Sequence, residues 1–463
     1  MELKDIKKEL FYEPKHAMEI VDDVTVKVAD DFCEGYKAYL NEAKTERETV
    51  NFFVKKAESK GYTEFDRTKK YSAGDKVYYN NRGKAIILCV FGKKSVAEGV
   101  KISAAHIDSP RLDLKPNPLY EDSSLAFFKT HYYGGIKKYQ WTAIPLALHG
   151  IVVKANGESV RVCIGEDESE PQFAITDLLP HLAADQMKQT MSDGIKGEQL
   201  NILIGSRPFS KDEGADKVKL NIMKILNEKY GIVEGDFLSA ELELVPAFKA
   251  RDIGFDRSLI GAYGHDDKVC AYPAAQAIFD VEKPEYTCLT VLADKEETGS
   301  DGNTGLHSSY MKYFISDLAV MEGVEPWRVM SASECLSADV NAAFDPNFPE
   351  VSEKKNSSFV NNGVVITKYT GSRGKGGTSD ASAEYMGKIR RMLNANDVVW
   401  QIGELGKVDA GGGGTVAMYV ANLDIDTIDL GVPVLSMHAP FEIVSKLDIY
   451  MAYKAFKVFF EQK

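Results

Sequence analysis

The 463-residue sequence has no apolar run long enough to cross a membrane. Its longest uninterrupted apolar segment covers only residues 85–91, whereas a transmembrane helix needs about 20 such residues. The first fifteen residues mix acidic and basic side chains and lack the apolar segment of a secretory signal. We therefore expect a cytoplasmic protein that enters neither a membrane nor the secretory pathway.

Basic residues are in short supply. The chain has 56 Lys and Arg residues against 69 Asp and Glu residues, a formal net charge of −13. Binding to nucleic-acid phosphates needs a basic face, and an anionic membrane surface makes the same demand. The charge balance therefore predicts that neither a nucleic acid nor a membrane is a partner.

Cysteine is also sparse, with six residues and no Cys-x-x-Cys pair. This spacing favours neither a cysteine zinc site nor a redox pair. Most of the cysteines lie within apolar segments, so we expect reduced, buried thiols. They are Cys33, Cys89, Cys163, Cys270, Cys288 and Cys335.

Strand-like and helix-like segments alternate in the first and last parts of the chain. Apolar runs such as residues 85–91 and 288–293 are typical of strands buried on both faces of a sheet. Residues 110–245 interrupt this pattern with short strand-like segments and one helix-like stretch around residues 176–188. The sequence predicts an α/β fold with a mainly parallel sheet flanked by helices, divided into a first part (1–109), an inserted β-rich domain (110–245) and a second part (246–463). Further strand candidates are residues 318–321, 363–367, 398–404 and 416–420.

Two polar clusters directly follow predicted strands. His106 comes after the strand at residues 100–105, and Asp108 stands two residues later, where a carboxylate can fix the tautomer of a ligating imidazole. Glu296 and Glu297 follow the strand at residues 288–293 and precede a glycine-rich stretch. A lone histidine is more often a packed residue and adjacent glutamates are usually solvated, but the carboxyl ends of sheet strands are where open α/β sheets place their sites.

Three further clusters supply more potential ligands. They contain His265, Asp266 and Asp267 at a predicted helix start, Asp339, and His438 after another apolar segment. Together, the five clusters offer a His, Asp and Glu set without cysteine, which suits a hydrolytic zinc or manganese site. The number of ligands suits two metal ions, which can share a carboxylate and activate a water.

These motifs resemble those of the aspartyl aminopeptidase and aminopeptidase I family of zinc metallopeptidases. The resemblance runs nearly end to end and is nearest to the shorter, bacterial branch. It depends on the strings HIDSPRLDLKP, GHDDKVCAY, EETGS, SADVNAAFDPN, GKVDAGGGGT and LSMHAPFE, which occur in the order of the family.

The resemblance implies a role for each member of the clusters. His106 and Glu297 would bind one metal, Asp339 and His438 the other, and Asp266 rather than Asp267 would bridge the two. Glu296 would be the general base and acid, and Asp108 would orient His106. The implied cofactors are two zinc ions per subunit, although a carboxylate-rich site also accepts manganese or cobalt.

The resemblance also gives the insertion a role. Residues 110–245 would form a dimerisation domain, and dimers would assemble into a tetrahedral dodecamer. His181 resembles a histidine that reaches the active site of a neighbouring subunit, although the residues alone favour a polar face of a helix. The segment of residues 411–415 contains four glycines, as where a backbone must approach something closely. The resemblance makes Gly412, Gly413 and Gly414 part of a substrate-lining loop.

Two charged residues, Lys368 and Asp380, bear on the substrate preference. Lys368 falls in a region that resembles the pocket wall, where it could pair with an acidic substrate group or simply be solvated. Asp380 departs from the pattern of the eukaryotic aspartyl enzymes, and it would repel an acidic substrate if it pointed inward. His265 could support the bridging Asp266 or merely begin the helix.

The sequence thus predicts a metal-dependent aminopeptidase that removes the N-terminal residue of peptides with a metal-activated water. One alternative is a dinuclear deacylase or amidohydrolase for small acylated molecules, which the same ligand set could serve. Another is a catalytically silent assembly protein, whose signature would be a damaged ligand set. The five predicted ligands and the base are all present, which favours the aminopeptidase.

Overall fold

The computed structural model describes residues 3–12, 14–210 and 214–463. The helices of these residues are α1 (Leu3–Leu10), α2 (Asp23–Glu42), α3 (Glu46–Ser59), α4 (Lys217–Tyr230), α5 (His265–Phe279), α6 (Tyr310–Glu322), α7 (Pro326–Ser331), α8 (Ala383–Ala395), α9 (Ala417–Ala421) and α10 (Lys446–Phe460). The strands are β1 (Thr63–Glu64), β2 (Lys76–Asn81), β3 (Ala85–Val90), β4 (Lys101–His106), β5 (Arg111–Asp122), β6 (Leu125–Tyr133), β7 (Leu146–Val153), β8 (Ser159–Ile164), β9 (Ile202–Gly205), β10 (Ala240–Pro246), β11 (Arg251–Ile253), β12 (Leu259–Ala262), β13 (Cys288–Ala293), β14 (Glu334–Ser337), β15 (Asn341–Ala342), β16 (Val364–Thr367), β17 (Trp400–Ile402), β18 (Asp426–Gly431), β19 (Pro433–Leu435) and β20 (Glu442–Ser445).

The largest sheet contains nine strands in the order β1-β2-β3-β13-β4-β14-β18-β16-β17. Its four central strands, from β13 to β18, pair in parallel. Antiparallel pairs join β3 to both its neighbours and β16 to β18. Strands β3, β4 and β13 are buried along their whole length, as expected when helices cover both faces. The predicted α/β class with a mainly parallel sheet is confirmed.

Successive residues of β3 enter two separate cores. Ile86 and Leu88 pack with helices α2, α3, α5, α8 and α10 on one face. Ile87 and Cys89 pack with helices α6, α7 and α9 on the other. The alternation follows from the two-residue period of a strand, and it explains why this segment is apolar throughout.

A second sheet consists entirely of β5 to β10, in the order β8-β7-β10-β5-β6-β9. All of its pairings are antiparallel, and it has a core of its own around Trp141, Leu148 and Leu242. Its first and last strands are neighbours, with Leu112 opposite Leu244. We call residues 111–246 the antiparallel domain. They form the β-rich unit that the sequence predicts, whereas the exact bounds 110 and 245 stay a prediction.

A third, five-stranded sheet has the order β11-β12-β20-β19-β15. Strand β12 pairs with β20, and β20 pairs with β19, both antiparallel. The sequence predicts that these segments belong to the same α/β arrangement as the rest of the second part, residues 246–463. The structure instead gives them a sheet of their own, next to the large one.

Three secondary-structure predictions are wrong. Residues 318–321 lie inside α6, and residues 416–420 overlap α9, because an apolar run of four or five residues does not distinguish a strand from a buried helical turn. Residues 176–188 contain only two short 3₁₀ turns, Pro180–Leu182 and Gln186–Lys188.

No helix of the described residues is long and apolar enough to cross a membrane. All six cysteines lie within the described ranges. They are unpaired, and all but Cys163 are buried.

Candidate metal centre

Three neighbouring strands of the nine-stranded sheet end at one edge with polar side chains. Ala293 of β13 lies opposite His106 of β4, and Ser337 of β14 lies opposite Ala104. Because the three strands are parallel, the loops that follow them converge. Those loops carry Asp108, Glu296, Glu297 and Asp339.

The five-stranded sheet brings two more residues to the same place. Asp266 lies at the beginning of α5, just after β12. His438 lies in the turn between β19 and β20, and β20 pairs with β12. The sequence analysis finds both residues, but it does not predict that they come from a separate sheet.

The Asp266 carboxylate lies between the two imidazoles. Its Oδ1 is 3.1 Å from His106 Nε2, and its Oδ2 is 3.1 Å from His438 Nε2. The other ring nitrogens donate to main-chain carbonyls: Nδ1 of His106 to Asp108 at 3.1 Å, and Nδ1 of His438 to Gly135 at 2.7 Å. A carbonyl oxygen only accepts, so Nδ1 carries the proton in each ring. Both Nε2 atoms are thereby aimed at the position between them and Asp266.

Two carboxylates complete the surroundings of the imidazoles. Asp339 Oδ1 lies 3.9 Å from His106 Nε2, and Glu297 Oε2 lies 3.6 Å from His438 Nε2. The resemblance implies the opposite pairing, His106 with Glu297 and Asp339 with His438. His106 and Glu297 also offer ligand atoms within 4.8 Å of one another, so the division of these ligands between two ions stays a prediction.

The carboxylate of Asp108 is fully buried and accepts hydrogen bonds from the end of β4, from the loop after β13 and from the antiparallel domain. Burial alone would raise its pKa, but the hydrogen bonds from His106 and Tyr133 lower it. Asp108 thus lies where it can fix the orientation of His106. Its donors are His106 Nδ1 (3.3 Å), the Tyr133 hydroxyl (2.8 Å), and the main-chain N–H groups of Glu296 (3.1 Å) and Glu297 (3.2 Å).

The centre holds more negative charge than the side chains around it neutralise. Among the described residues, the ion-pair partners of its carboxylates within 4.0 Å are the two imidazoles, and no Lys or Arg is among them. Burial and the charges of Asp266 and Asp108 raise the pKa of Glu296 to about 7. Burial likewise raises the pKa values of Glu297 and Asp339 well above the ordinary value.

Among the fully buried carboxylate oxygens of the predicted ligands, one has no hydrogen-bond partner in the described part of the chain. It is Oε1 of Glu297, and it is buried. A buried, unpartnered carboxylate oxygen is costly, and a bound dication relieves this cost together with the shortage of positive charge. The side chains present therefore fit a metal centre with carboxylate and imidazole ligands.

Glu442 is a residue of the centre that sequence reasoning missed. Its buried carboxylate accepts the main-chain N–H of Asp266 at 3.1 Å and that of His438 at 2.7 Å. Burial and the charge of Asp266 raise its pKa to about 8. Glu442 therefore fixes the two segments that carry the bridging carboxylate and the second imidazole. The only sequence signal was its place at the end of the string LSMHAPFE.

His265 points away from the metal centre. Its Nδ1 lies 2.8 Å from the Tyr36 hydroxyl and its Nε2 lies 3.2 Å from the carbonyl of Ile260. Burial lowers its pKa to about 3, so the ring is neutral. His265 thus joins the start of α5 to α2 rather than contacting Asp266 through its side chain.

His181 lies in an exposed 3₁₀ turn of the antiparallel domain. In the described residues, no hydrogen bond or ion pair joins it to the residues of the centre of the same chain. The structure of a single chain therefore does not bring His181 and the predicted ligands together, and its role stays a prediction.

Lys368 and Asp380 contact each other. The ammonium group of Lys368 lies 2.6 Å from Asp380 Oδ1, and Lys375 lies 2.9 Å from Oδ2 of the same carboxylate. The two lysines lower the pKa of Asp380. The negative charge that was expected to repel an acidic substrate is therefore already paired.

The glycine segment of residues 411–414 is pressed against other loops of the same chain. A Cβ on Gly412, whose φ is +116°, would lie 2.0 Å from the carbonyl oxygen of Gly371. Gly413 accepts the N–H of Gly371 at 2.7 Å. The close approach predicted for this segment is therefore a contact with the backbone at Gly371. For Gly412, Gly413 and Gly414, the expected contact with a substrate stays a prediction.

A cavity of about 870 Å³ opens beside His438. Its walls include the apolar side chains of Tyr139, Phe348 and Leu405, together with Gly411. Gly412 lines a smaller neighbouring cavity of about 390 Å³. The centre is thus reached from a space large enough for part of a peptide.

Comparison with known proteins places this geometry in a family. The model of the aminopeptidase I zinc metalloprotease (M18) family matches residues 39–460. A Clostridium acetobutylicum protein described as "Probable M18 family aminopeptidase 1" is 50% identical over 459 residues, which cover 97% of this chain and 99% of that protein.

Solved structures agree with the fold. The crystal structure of an M18-family aminopeptidase from Thermotoga maritima superposes with a TM-score of 0.94 at 42% identity, covering 98% of this chain and 100% of the other. The S. cerevisiae mApe1 dodecamer superposes with a TM-score of 0.76 at 20% identity, covering 94% and 97%. At that identity the second likeness concerns the fold alone.

Proposed function

Because this chain belongs to the aminopeptidase I zinc metalloprotease (M18) family and is therefore a metallo-aminopeptidase, we propose that the centre around Asp266 binds two metal ions and carries out the peptide hydrolysis. The observation that carries the proposal is the position of Asp266, one oxygen of which faces each imidazole at 3.1 Å. A single carboxylate placed in this way can bridge two ions.

We propose His106 and Asp339 as ligands of one ion, and His438 and Glu297 as ligands of the other, with Asp266 shared. The contacts of 3.9 Å and 3.6 Å support this division. The mixed imidazole and carboxylate set suits zinc, and it also accepts manganese or cobalt. When bound, such ions supply Lewis acidity toward a water and the scissile carbonyl.

Glu296 is the proposed general base and acid. Its carboxylate lies 3.9 Å from His106 Nε2, next to the proposed ligands but without a short contact to them. Burial raises its pKa to about 7, near neutral pH, which suits a group that accepts and returns a proton. Glu296 would take a proton from the attacking water and deliver it to the leaving amine.

Substrate peptides would enter through the cavity beside His438. The Gly412–Gly413–Gly414 backbone and Lys368 remain candidates for contact with the substrate, as predicted from the sequence. Because Lys368 is paired with Asp380 at 2.6 Å, this pair favours neither an acidic nor a basic N-terminal side chain.

We also propose that the chain works as a homo-oligomer, a dodecamer built from dimers through the domain at residues 110–245. The exposed segment around His181 supports this proposal, because it presents several apolar side chains to solvent. Leu178, Leu179, Leu182 and Met187 are 50–77% exposed. His181 would then reach the centre of a neighbouring subunit.

Metal removal tests the proposed function. Dialysis against a chelator should abolish cleavage of an aminoacyl reporter amide, and added Zn²⁺, Mn²⁺ or Co²⁺ should restore it with two ions per chain. The same reporter with an acetylated amine should not be cleaved. Full activity without metal would refute the metal centre, and equal cleavage of the acetylated reporter would favour the deacylase.

A further inference from the structure

A short segment of the antiparallel domain, residues 133–135, contacts the metal centre. Strand β6 ends at Tyr133, and Gly134 and Gly135 follow it. These residues lie outside both sheets that carry the proposed ligands, and no step proposed for the reaction uses them.

Tyr133 reaches the first imidazole through Asp108. Its hydroxyl donates to Asp108 Oδ2 at 2.8 Å, while Oδ1 of the same carboxylate lies 3.3 Å from His106 Nδ1. The hydroxyl is thus one of the donors that hold the carboxylate in the position from which it contacts His106. Such partners of a ligating histidine set its orientation and basicity.

The Tyr133 ring is itself held in place. The guanidinium group of Arg111 lies over it, 4.0 Å from the ring centroid, and Arg111 is the residue opposite Tyr133 in the β5–β6 pair. Arg111 is buried between Glu46 at 2.9 Å and Glu243 at 3.4 Å. The ring therefore has little freedom to move its hydroxyl away from Asp108.

Gly135 reaches the second imidazole directly. Its carbonyl accepts the Nδ1–H of His438 at 2.7 Å. A Cβ at this position would lie 3.4 Å from His438 Nδ1, and one on Gly134, whose φ is +76°, would lie 3.0 Å from Glu297 Oε2. Two glycines let the backbone come this close to a proposed ligand on each side.

We infer that residues 133–135 orient both imidazole ligands of the metal centre, Tyr133 through Asp108 and Gly135 through its carbonyl. Tyr133 is a positioning residue, because it acts through Asp108 and touches neither the ions nor the substrate. The domain predicted to serve assembly thus also determines how well the centre binds metal. The inference rests on the proposed function, since it assumes that His106 and His438 are ligands.

The test compares metal affinity in matched variants of the full-length protein. Tyr133→Phe removes only the hydroxyl, and Tyr132→Phe, on the same strand with a side chain 40% exposed, is its control. Gly135→Ala crowds His438, and its control is Gly235→Ala, where a Cβ meets nothing within 4 Å. Affinity is measured by competition for Co²⁺ and Zn²⁺ with a chromophoric chelator, with the visible spectrum of bound Co²⁺ as a second measurement.

We expect Tyr133→Phe and Gly135→Ala each to weaken the binding of one ion by roughly 10–100-fold. The Co²⁺ spectrum should change as well, whereas the melting temperature of the metal-free protein stays like that of its control. Wild-type affinity and spectrum in both variants would overturn the inference, provided that the wild type binds two ions. A wild-type chain that binds no dication would overturn the proposed metal centre along with it.

Discussion

In the described part of the chain, two buried clusters combine histidine with carboxylates, and only one of the two fits a metal centre. The first is the centre around Asp266. The second, which we call the His149 cluster, contains Glu48, His149, Cys163 and Glu166, and joins α3 to the antiparallel domain. Both offer ligand atoms close enough for a metal ion: His106 with Asp266 and Glu297 in one, and Glu48 with His149 and Cys163 in the other.

The His149 cluster is neutralised by its own side chains. His149 Nδ1 lies 2.9 Å from Glu48 and Nε2 lies 3.0 Å from Glu166, so both ring nitrogens already face a carboxylate. Each carboxylate also has other cationic partners. Arg161 lies 2.8 Å from Glu48, and Lys44 and Lys249 lie 2.7 Å and 2.6 Å from Glu166.

The carboxylates of the metal centre lack such partners, since their ion-pair contacts in the described residues are to the two imidazoles. The comparison teaches that ligand-type residues at ligand distances do not by themselves indicate a metal. A metal site is indicated instead by buried negative charge that no side chain of the protein neutralises. A buried charge must be paired, and in one cluster the pairing is internal, whereas in the other it requires a dication.

Removing one carboxylate from each cluster would break the comparison most directly. Asp266→Asn should abolish binding of both ions and lower kcat/KM by more than about 10⁴-fold, since the ions supply several kcal/mol of transition-state stabilisation. Glu166→Gln should keep both the metal content and the turnover of the folded protein. Elemental analysis after dialysis and a reporter-amide assay check both, and metal loss in Glu166→Gln would contradict the distinction between the clusters.

A substitution of Glu296 distinguishes the carboxylates that bind metal from the carboxylate that transfers a proton. Glu296→Gln should retain two ions per chain but lose about 10²–10⁴-fold in kcat, because proton transfer by a positioned group contributes that much. The measurement is kcat at saturating metal, with the exposed Glu325→Gln as the matched control. Near-normal turnover in Glu296→Gln would show that another group is the base.

A substitution in the His149 cluster should lower the stability of the protein rather than its catalytic rate. His149→Gln leaves Glu48 and Glu166 without their shared partner, and removing one member of a buried ion pair costs about 3–5 kcal/mol. We expect a loss of this order in the free energy of unfolding in urea, with little change in kcat. His307→Gln, which removes an exposed partner of Asp301, should cost no more than about 1 kcal/mol.

Acid should reveal the smallest difference. Burial alone would raise the pKa values of Glu48 and Glu166, but His149 and the neighbouring Arg161 and Lys44 lower both to about 2. A carboxylate whose pKa is lowered by folding stabilises the protein above its unfolded pKa, and this contribution is lost as the pH falls through the folded value. Between about pH 4.5 and 2 the metal-free wild type should therefore lose stability more steeply than Glu166→Gln, as measured by urea unfolding at each pH. Equal slopes would show that the pair is not coupled to folding.

Part of the metal centre was predictable because its residues follow directly from strands. His106, Glu297 and Asp339 each come after an apolar segment, and parallel strands bring their ends together. The sequence also marks Asp266 and His438. It does not show that they belong to a different sheet, because pairing between β12 and β20 depends on residues almost 200 positions apart.

The residues that sequence reasoning missed act through folded contacts. Glu442 binds two main-chain N–H groups, and a main-chain partner leaves no mark on residue identity. Gly135 reaches His438 across 303 positions. The strand predicted at residues 318–321 was wrong because a short apolar run fits a buried helix such as α6 as well as it fits a strand.

The neighbouring positions of β5 and β10 bear on how such a molecule could arise. A domain whose first and last strands lie side by side, with Leu112 opposite Leu244, enters and leaves its host at a single point. A domain whose ends lie close together can be inserted into another fold with little disturbance. Its loss is another matter, because His438 now donates to the carbonyl of Gly135 and Asp108 accepts from Tyr133. Removing the domain would therefore take one hydrogen-bond partner each from His438 and Asp108.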